Sequence, residues 1–373
     1  MGDDTERKLR VAYTVEQCWH QVPGGTAVAA LRVARQLLAS DAFSSQIDLH
    51  FVAGKHPGPP GDLYVPPGPV AMLPLGRRSL YESWTRLNWP KVEAVTGSVD
   101  VVHATGLIPA ATDAPLVVTV HDIAFIHTPE RFSRRGAALM TRSLRTTRNR
   151  AQRVICSSRS TFDDCVEYGF DPEALRLIPL GVDTTPATAT EVHDAAARHG
   201  LPDEFVLFVG TLEPRKNLAR LVAAMATMQG NGFDLPLVVV GVDGWGSVRD
   251  GLDIDGLDVR FLGEVTNEDL RALFASCAVM AYPSEREGFG LPVAEAMAQG
   301  AAVVTSRGTS TEEVAGGAAV LVDPFDVGDI ARGLAEAYDQ RKHLAEPGRR
   351  RAASMSWELV AQATLDVYRE VAS

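Results

Sequence analysis

Short runs that are almost wholly apolar constrain this chain more than any other feature. Pro115-Leu-Val-Val-Thr-Val120, Glu204-Phe-Val-Leu-Phe-Val-Gly210 and Pro236-Leu-Val-Val-Val-Gly241 have no polar face. A strand of that kind must be covered on both sides. Helices do this in α/β proteins with a parallel sheet. The sequence predicts strands at Leu9–Thr14, Ile47–Ala53, Asp100–His103, Pro115–Val120 and Arg153–Cys156, with helices from near Thr26 to Leu38, around Leu80–Ala94 and about 133–151. Residues 54–76 hold seven prolines and five glycines and are expected to form a long irregular loop. Leu177-Ile-Pro-Leu-Gly-Val-Asp183 reads as a hinge strand and linker. The pattern then restarts, with strands at Glu204–Gly210, Pro236–Gly241, Val259–Gly263, Ala278–Tyr282, Ala302–Thr305 and Ala319–Val322. Helices are expected at Asn217–Met228, Asn267–Ser276 and Leu291–Gln299. The chain therefore reads as two doubly wound α/β sheets in tandem, and 373 residues suit two domains.

Composition narrows the function classes. With 46% hydrophobic and 22% charged residues the chain is of ordinary globular type. No run of 18 apolar residues is present to span a bilayer. Met1–Arg10 has no apolar stretch, so a secretory signal is not expected. Cys18, Cys156, Cys165 and Cys277 form no CxxC pair and no metal-ligand spacing, and they read as reduced thiols of a cytoplasmic protein. Residues 1–182 carry 20 Lys and Arg against 18 Asp and Glu, and residues 183–373 carry 16 against 29. That balance disfavours nucleic acid as a partner, because polyanion affinity comes mainly from basic side chains. Between Arg131 and Arg153 stand eight arginines and no acid. One reading is peripheral contact with anionic lipid at the inner membrane face, or with a phosphorylated acceptor. The favoured reading is a solvated helix face, balanced by the acidic second half.

Two segments follow strand ends and carry groups suited to a nucleotide. The first is Tyr282-Pro-Ser-Glu-Arg-Glu287-Gly-Phe-Gly290-Leu-Pro-Val-Ala-Glu295. Gly288 and Gly290 allow close backbone approach to a ligand, and Pro292 suits the first turn of a helix. The amides of Phe289, Gly290 and Leu291 are then left at a helix N-terminus, which favours phosphate. Glu295 lies about one turn in, where its carboxylate suits a ribose diol, while Glu287 sits in the preceding loop, nearer the sugar. The plain alternative is a capped helix with surface glutamates. The second segment is Val209-Gly210-Thr-Leu-Glu213-Pro-Arg215-Lys216-Asn217. Two cations at a helix start oppose the macrodipole, and a diphosphate between Arg215 and Lys216 would offset that cost. The plain alternative is a solvated basic pair balanced by Glu213.

With Gly24-Gly25, Val101-Val-His103-Ala, Val118-Thr-Val-His121-Asp122, Pro179-Leu-Gly-Val-Asp183 and Glu313-Val-Ala-Gly316, these segments make the chain resemble the family-4 retaining glycosyltransferases of the GT-B fold over nearly its whole length. The resemblance implies two Rossmann-like domains facing across a cleft. Residues 1–182 would be the acceptor side and 183–354 the nucleotide-sugar side, with a terminal helix at about 355–373 crossing back to the first domain. It implies that Arg215 and Lys216 hold the donor diphosphate, that Glu287 contacts hydroxyls of the transferred sugar and that Glu295 binds the ribose. The amides of Phe289, Gly290 and Leu291 would touch phosphate or sugar. His121 would lie near the sugar and the attacking hydroxyl, oriented by Asp122. Gly24 and Gly25 would let a loop approach the diphosphate, and Gly263–Val265 and Tyr282–Ser284 would frame the base. Read alone, His121 and His103 are also ordinary strand-end histidines bonded within the protein.

Some positions depart from the family pattern. Thr211 stands where many relatives have arginine, and Val242 before Asp243-Gly-Trp245 where many have lysine. Gly317 replaces a common acid. Asp253-Ile-Asp255 is the nearest thing to a metal-binding Asp-X-Asp, and it reads as a solvated loop. The resemblance therefore implies a metal-independent reaction without a cofactor, in which the donor phosphate takes the acceptor proton. Thr211–Asn217 and Val120-His-Asp122 with Pro129-Glu-Arg-Phe132 look most like the mannosyltransferase branch, which points to GDP-mannose first and a UDP-sugar second. The acceptor is a glycan, a lipid-linked sugar or a small molecule, with its site expected at loop 54–76 and its neighbours. Two rivals are a two-domain binding protein that closes on a ligand without chemistry, and a nicotinamide oxidoreductase. The second lacks its glycine fingerprint, because Tyr13–Pro23 contains no glycine before the Gly24-Gly25 pair.

Overall fold

A computed structural model describes residues 7–230, 232–244, 246 and 248–373, without the side chain of Glu130. Residues 1–6 of the amino-terminal reading and Trp245 lie outside the described residues. The chain divides into two compact units, Met1–Gly181 with Trp357–Ser373, and Val182–Ser356.

In the first unit, seven strands form one parallel sheet: β1 (Leu9–Thr14), β2 (Ile47–Ala53), β3 (Val70–Met72), β4 (Val101–Ala104), β5 (Leu116–Val120), β6 (Arg153–Cys156) and β7 (Leu175–Leu177). Their order is β3-β2-β1-β4-β5-β6-β7. Side chains alternate across a strand, so neighbouring valines serve opposite cores. Val101 and Val117 join a cluster with Val33, Leu37, Val360 and Leu365. Val102 and Val118 join the other face, with Leu80, Trp84 and Leu144. The helix Gly24–Ala39 buries Ala27, Ala30, Leu31, Ala34 and Leu37, an i, i+3, i+4, i+7 stripe. The helix Trp357–Ala372 packs against it and buries Val360, Ala361, Leu365 and Tyr368. Each of the buried valines and leucines contributes about 1.5–3 kcal/mol. The final helix is thus part of the first unit's core, although 175 residues of the second unit precede it.

The second unit repeats the plan with six parallel strands: β8 (Val206–Val209), β9 (Leu237–Val240), β10 (Val259–Gly263), β11 (Val279–Tyr282), β12 (Val303–Ser306) and β13 (Val320–Val322). Their order is β10-β9-β8-β11-β12-β13. Both sheets reverse direction beside their first strand, the place where open α/β sheets bind ligands beyond the strand carboxyl ends.

Three local expectations need correction. Loop 54–76 is not irregular throughout: Val70–Met72 pairs with Phe51–Ala53 as an edge strand. The helix expected at Leu80–Ala94 is two, Arg77–Leu87 and Glu93–Thr96. Asn88 turns left-handed between them, and Pro90 has no N–H to continue a helix. The Gly24-Gly25 pair opens the first helix instead of lying in the loop before it. Among the described residues no helix is long and apolar enough to cross a membrane.

Candidate active site

In the second unit, the ends of β8 and β11 bring together side chains that lie about 70 residues apart in the chain. Gly210 leaves β8 at φ +152°, and Pro214–Lys216 form a single tight turn. Asn217 then takes a left-handed conformation (φ 64°) and starts the helix Leu218–Met228. Its amide donates to the carbonyls of Pro283 (2.9 Å) and Pro324 (2.6 Å), tying three loops together. The peptide of Glu285 donates to the Arg215 carbonyl at 2.8 Å. These bonds fix Arg215 and Lys216 against the loop that carries Glu287.

Glu287 is the hub. Its Oε1 accepts from Lys216 Nζ at 2.6 Å and from the Tyr282 hydroxyl at 3.2 Å, while its Oε2 faces Arg215 Nη1 at 3.0 Å. Lys216 Nζ also donates to Tyr282 Oη at 2.5 Å. Arg215 Nε donates to Glu213 at 2.9 Å. Lys216 and Glu287 are each 8% exposed, so this is a buried ionic cluster and not a surface pair. Burial alone would raise the Glu287 carboxyl, but Arg215 and Lys216 overcome it and hold it at about 2. Burial lowers the Lys216 ammonium against the pull of Glu287, and it drives the Tyr282 phenol well up. Lys216 has three N–H donors, of which Tyr282 and Glu287 take two. Among the described residues these are its two hydrogen-bond partners, which leaves one N–H for a further acceptor.

Beside this cluster, Gly290 adopts φ +100° and caps the helix Leu291–Gln299, with Pro292 in its first turn. A Cβ on Gly290 would lie 2.6 Å from Thr311 Cγ2, so only glycine fits without displacement. Phe289 and Leu291 pack inward at 6% and 9% exposure, leaving their backbone at the helix mouth. Ser310 Oγ holds the Glu287 carbonyl at 2.8 Å, and Ser306 Oγ holds that of the buried Ser284 at 2.6 Å. Glu295 is half-buried one turn in, and Thr211 and Val265 are half-buried after β8 and β10. Asp253 and Asp255 lie exposed in a loop.

The remaining candidates belong to the first unit. His103, 3% exposed, bonds Tyr368 Oη through Nδ1 (2.6 Å) and Thr119 Oγ1 through Nε2 (2.8 Å). Burial, then His121, push it down to about 3, so it is a neutral core histidine with both nitrogens engaged. His121 follows β5 and is half-buried. Burial lowers its pKa, against Asp122 and a backbone bond at Thr105. Asp122 Oδ1 accepts the Ala124 amide at 3.0 Å and shapes the turn. Gly24 (φ +61°) and Gly25 open their helix, and Gly25 is exposed. In the arginine-rich helix Arg134–Arg150, Arg142 pairs with Glu82 at 2.6 Å, while Arg148 and Arg150 bond the carbonyls of Tyr168 and Ala110. Two participants escaped the sequence reading. In sequence Tyr282 reads only as framing the base, and Asn217 only as the start of a helix. The Asn directly after Arg-Lys was the available signal for the second, since Asn tolerates the left-handed region.

A family model for glycosyl transferases group 1 matches residues 190–353, and one for glycosyltransferase family 4 matches residues 23–186. O-antigen chain mannosyltransferase B of Escherichia coli is 30% identical over 271 residues, covering 68% of this chain and 70% of that protein. The MMP alpha-(1->4)-mannosyltransferase of Mycolicibacterium hassiacum is 31% identical over 301 residues, 74% and 71% of the two chains. The chain belongs to glycosyltransferase family 4. The family assignment makes it a transferase. This glycosyltransferase also has the fold of HepE from Anabaena, whose crystal structure holds UDP and glucose. The TM-score is 0.70 at 18% identity, over 97% of this chain and 100% of that one, and the likeness supports the GT-B fold.

Proposed function

We propose that the enzyme moves a hexose, mannose first, from a nucleoside-diphosphate sugar to an acceptor hydroxyl with retention at the anomeric carbon. The observation that carries this reading is the buried Arg215–Lys216–Glu287–Tyr282 cluster beside the glycine-capped helix. In this reading the bond between the anomeric carbon and the diphosphate oxygen breaks, and the acceptor oxygen bonds to that carbon on the same face. The acceptor proton passes to the departing phosphate oxygen. Negative charge grows on the diphosphate as it leaves. Arg215, the remaining donor of Lys216 and the amides of Phe289, Gly290 and Leu291 stabilise it more than they stabilise the intact donor. No metal or cofactor enters the scheme. Glu287 keeps the two cations in place and contacts the sugar hydroxyls. Glu295 takes the ribose, Ser284, Thr211 and Val265 line the nucleoside side, and His121 with Asp122 serves the sugar and the acceptor.

The mannosyltransferase relatives support GDP-mannose as the donor. The UDP and glucose in the HepE crystal favour a UDP-sugar as the second reading. Thermal unfolding with GDP, UDP, ADP and NAD tests the scheme. A ligand at ~100 times its Kd adds about 2.7 kcal/mol and raises the midpoint by several degrees. GDP or UDP should do so. A shift with NAD alone would overturn the proposed sugar-nucleotide donor.

A further inference from the structure

Beyond the carboxyl ends of β1, β2 and β3, the first unit carries a second arrangement that the donor scheme does not use. An open hollow of about 490 Å³ is lined by Trp19, Gln21, His56, Arg77, Arg78 and Ser79. That volume lies within the range of small-molecule sites. The three loops come from adjacent strands, so the hollow is built by the sheet and does not belong to one flexible segment.

Its floor is rigid. The Trp19 indole lies flat on the His56 imidazole, with centroids 4.7 Å apart and planes 6° from parallel. Trp19 Nε1 donates to the Gly58 carbonyl at 2.8 Å. His56 Nε2 stands 3.0 Å and 3.1 Å from the two carboxylate oxygens of Glu16, which is 2% exposed. A carboxylate only accepts, so Nε2 carries the proton in this network. Glu16 also accepts the Gly54 amide at 2.6 Å. Glu16 thus anchors the turn that presents His56.

The rim is cationic. Arg77 and Arg78 occupy the first turn of the helix Arg77–Leu87, where positive charge opposes the macrodipole. Arg77 Nη1 donates to the Trp19 carbonyl at 3.4 Å, and Arg78 is exposed. Among the described residues neither guanidinium pairs with an acid. Burial, then Arg77 and His56, push the nearby His20 down to about 4, which marks the same positive field. A flat aromatic face with two guanidinium forks at its edge, neither facing an acid among the described residues, recognises a ring compound that carries an oxyanion.

We propose that this hollow is the acceptor pocket and that the acceptor is an anionic saccharide, its ring against Trp19 and its phosphate or carboxylate between Arg77 and Arg78. The assignment as acceptor pocket rests on the transferase reading; the anion site itself does not.

The test titrates the full chain with glucose 6-phosphate, glucuronate and glucose by calorimetry, with GDP and UDP titrated on the same samples. One or both anionic sugars should bind, and glucose should bind at least ~10-fold more weakly. Binding of glucose 6-phosphate alone identifies phosphate as the anion, and binding of glucuronate alone identifies carboxylate. Arg77→Ser with Arg78→Ser should remove the preference and leave nucleotide binding unchanged, and the exposed Arg78→Ser alone should weaken it without any folding cost. Trp19→Ala should weaken all three sugars. Equal binding of glucose and its charged counterparts, or a preference that survives the double arginine variant, overturns the proposal while nucleotide binding leaves the transferase reading standing. Anionic sugars bound without any nucleotide would keep the anion pocket and remove the proposed GDP- or UDP-sugar donor scheme.

Discussion

Glu287 shows how one side chain can hold a site in readiness. It sits 2.6 Å from one cation and 3.0 Å from another, and all three groups are largely withdrawn from water. Removing one partner of such a cluster costs about 3 kcal/mol or more, because the others stay buried without compensation. Glu287→Gln should therefore lower unfolding stability by about that amount at neutral pH, as read by denaturant titration. GDP or UDP should restore more stability to the variant than to the parent, because the diphosphate replaces the missing charge. The pH sign follows from the depressed pKa. The contribution of Glu287 is complete above its unfolded value of 4.5 and is lost as pH falls toward about 2, so the two proteins should converge over that window. A constant difference from pH 7 to 2 would show that the carboxylate charge is not what stabilises the cluster. The sequence exposed Arg215, Lys216 and Glu287 as separate signals but not their mutual pairing. Tyr282 illustrates the reason: its hydroxyl reaches Lys216 only because β8 and β11 are neighbours, and adjacency in a sheet is not written in local spacing.

Among the elements, the helix Leu291–Gln299 depends on one backbone angle. Gly290 at φ +100° turns the chain into that helix with Thr311 directly against it. Gly290→Ala should cost about 2–3 kcal/mol, from the left-handed strain together with the 2.6 Å approach to Thr311 Cγ2. Thr311→Ser removes that methyl and keeps the hydroxyl bonded to Thr305 and Thr309, so the double variant should regain about 1 kcal/mol. Urea unfolding of the three variants checks this, and an undiminished midpoint in Gly290→Ala would refute the steric account. The strands were legible because burial on both faces leaves no choice of composition, as in Leu237–Val240. Edge and surface elements were not. Val70–Met72 hides among prolines because an edge strand needs few ladder bonds, and the helix Arg341–Ala353 carries Pro347 and Gly348, which read as breakers.

The whole molecule pairs two similar sheets with unequal tasks. The first is completed by the chain's last helix, where Tyr368 bonds His103 and Glu370 meets Arg153 at 2.7 Å. That return was legible only through family resemblance, since nothing in the periodicity of 357–372 says which sheet it covers. The second gathers the cations, the glycine cap and the acids on which the chemical account depends. A two-ligand, two-protein cycle tests that account most directly: calorimetric affinities of GDP or UDP and of the matching nucleoside, for the parent and Lys216→Ala. The account predicts that the parent prefers the diphosphate by about 100-fold and that the variant loses at least ~10-fold of that preference, with nucleoside affinity unchanged. An equal diphosphate preference in both proteins would contradict it.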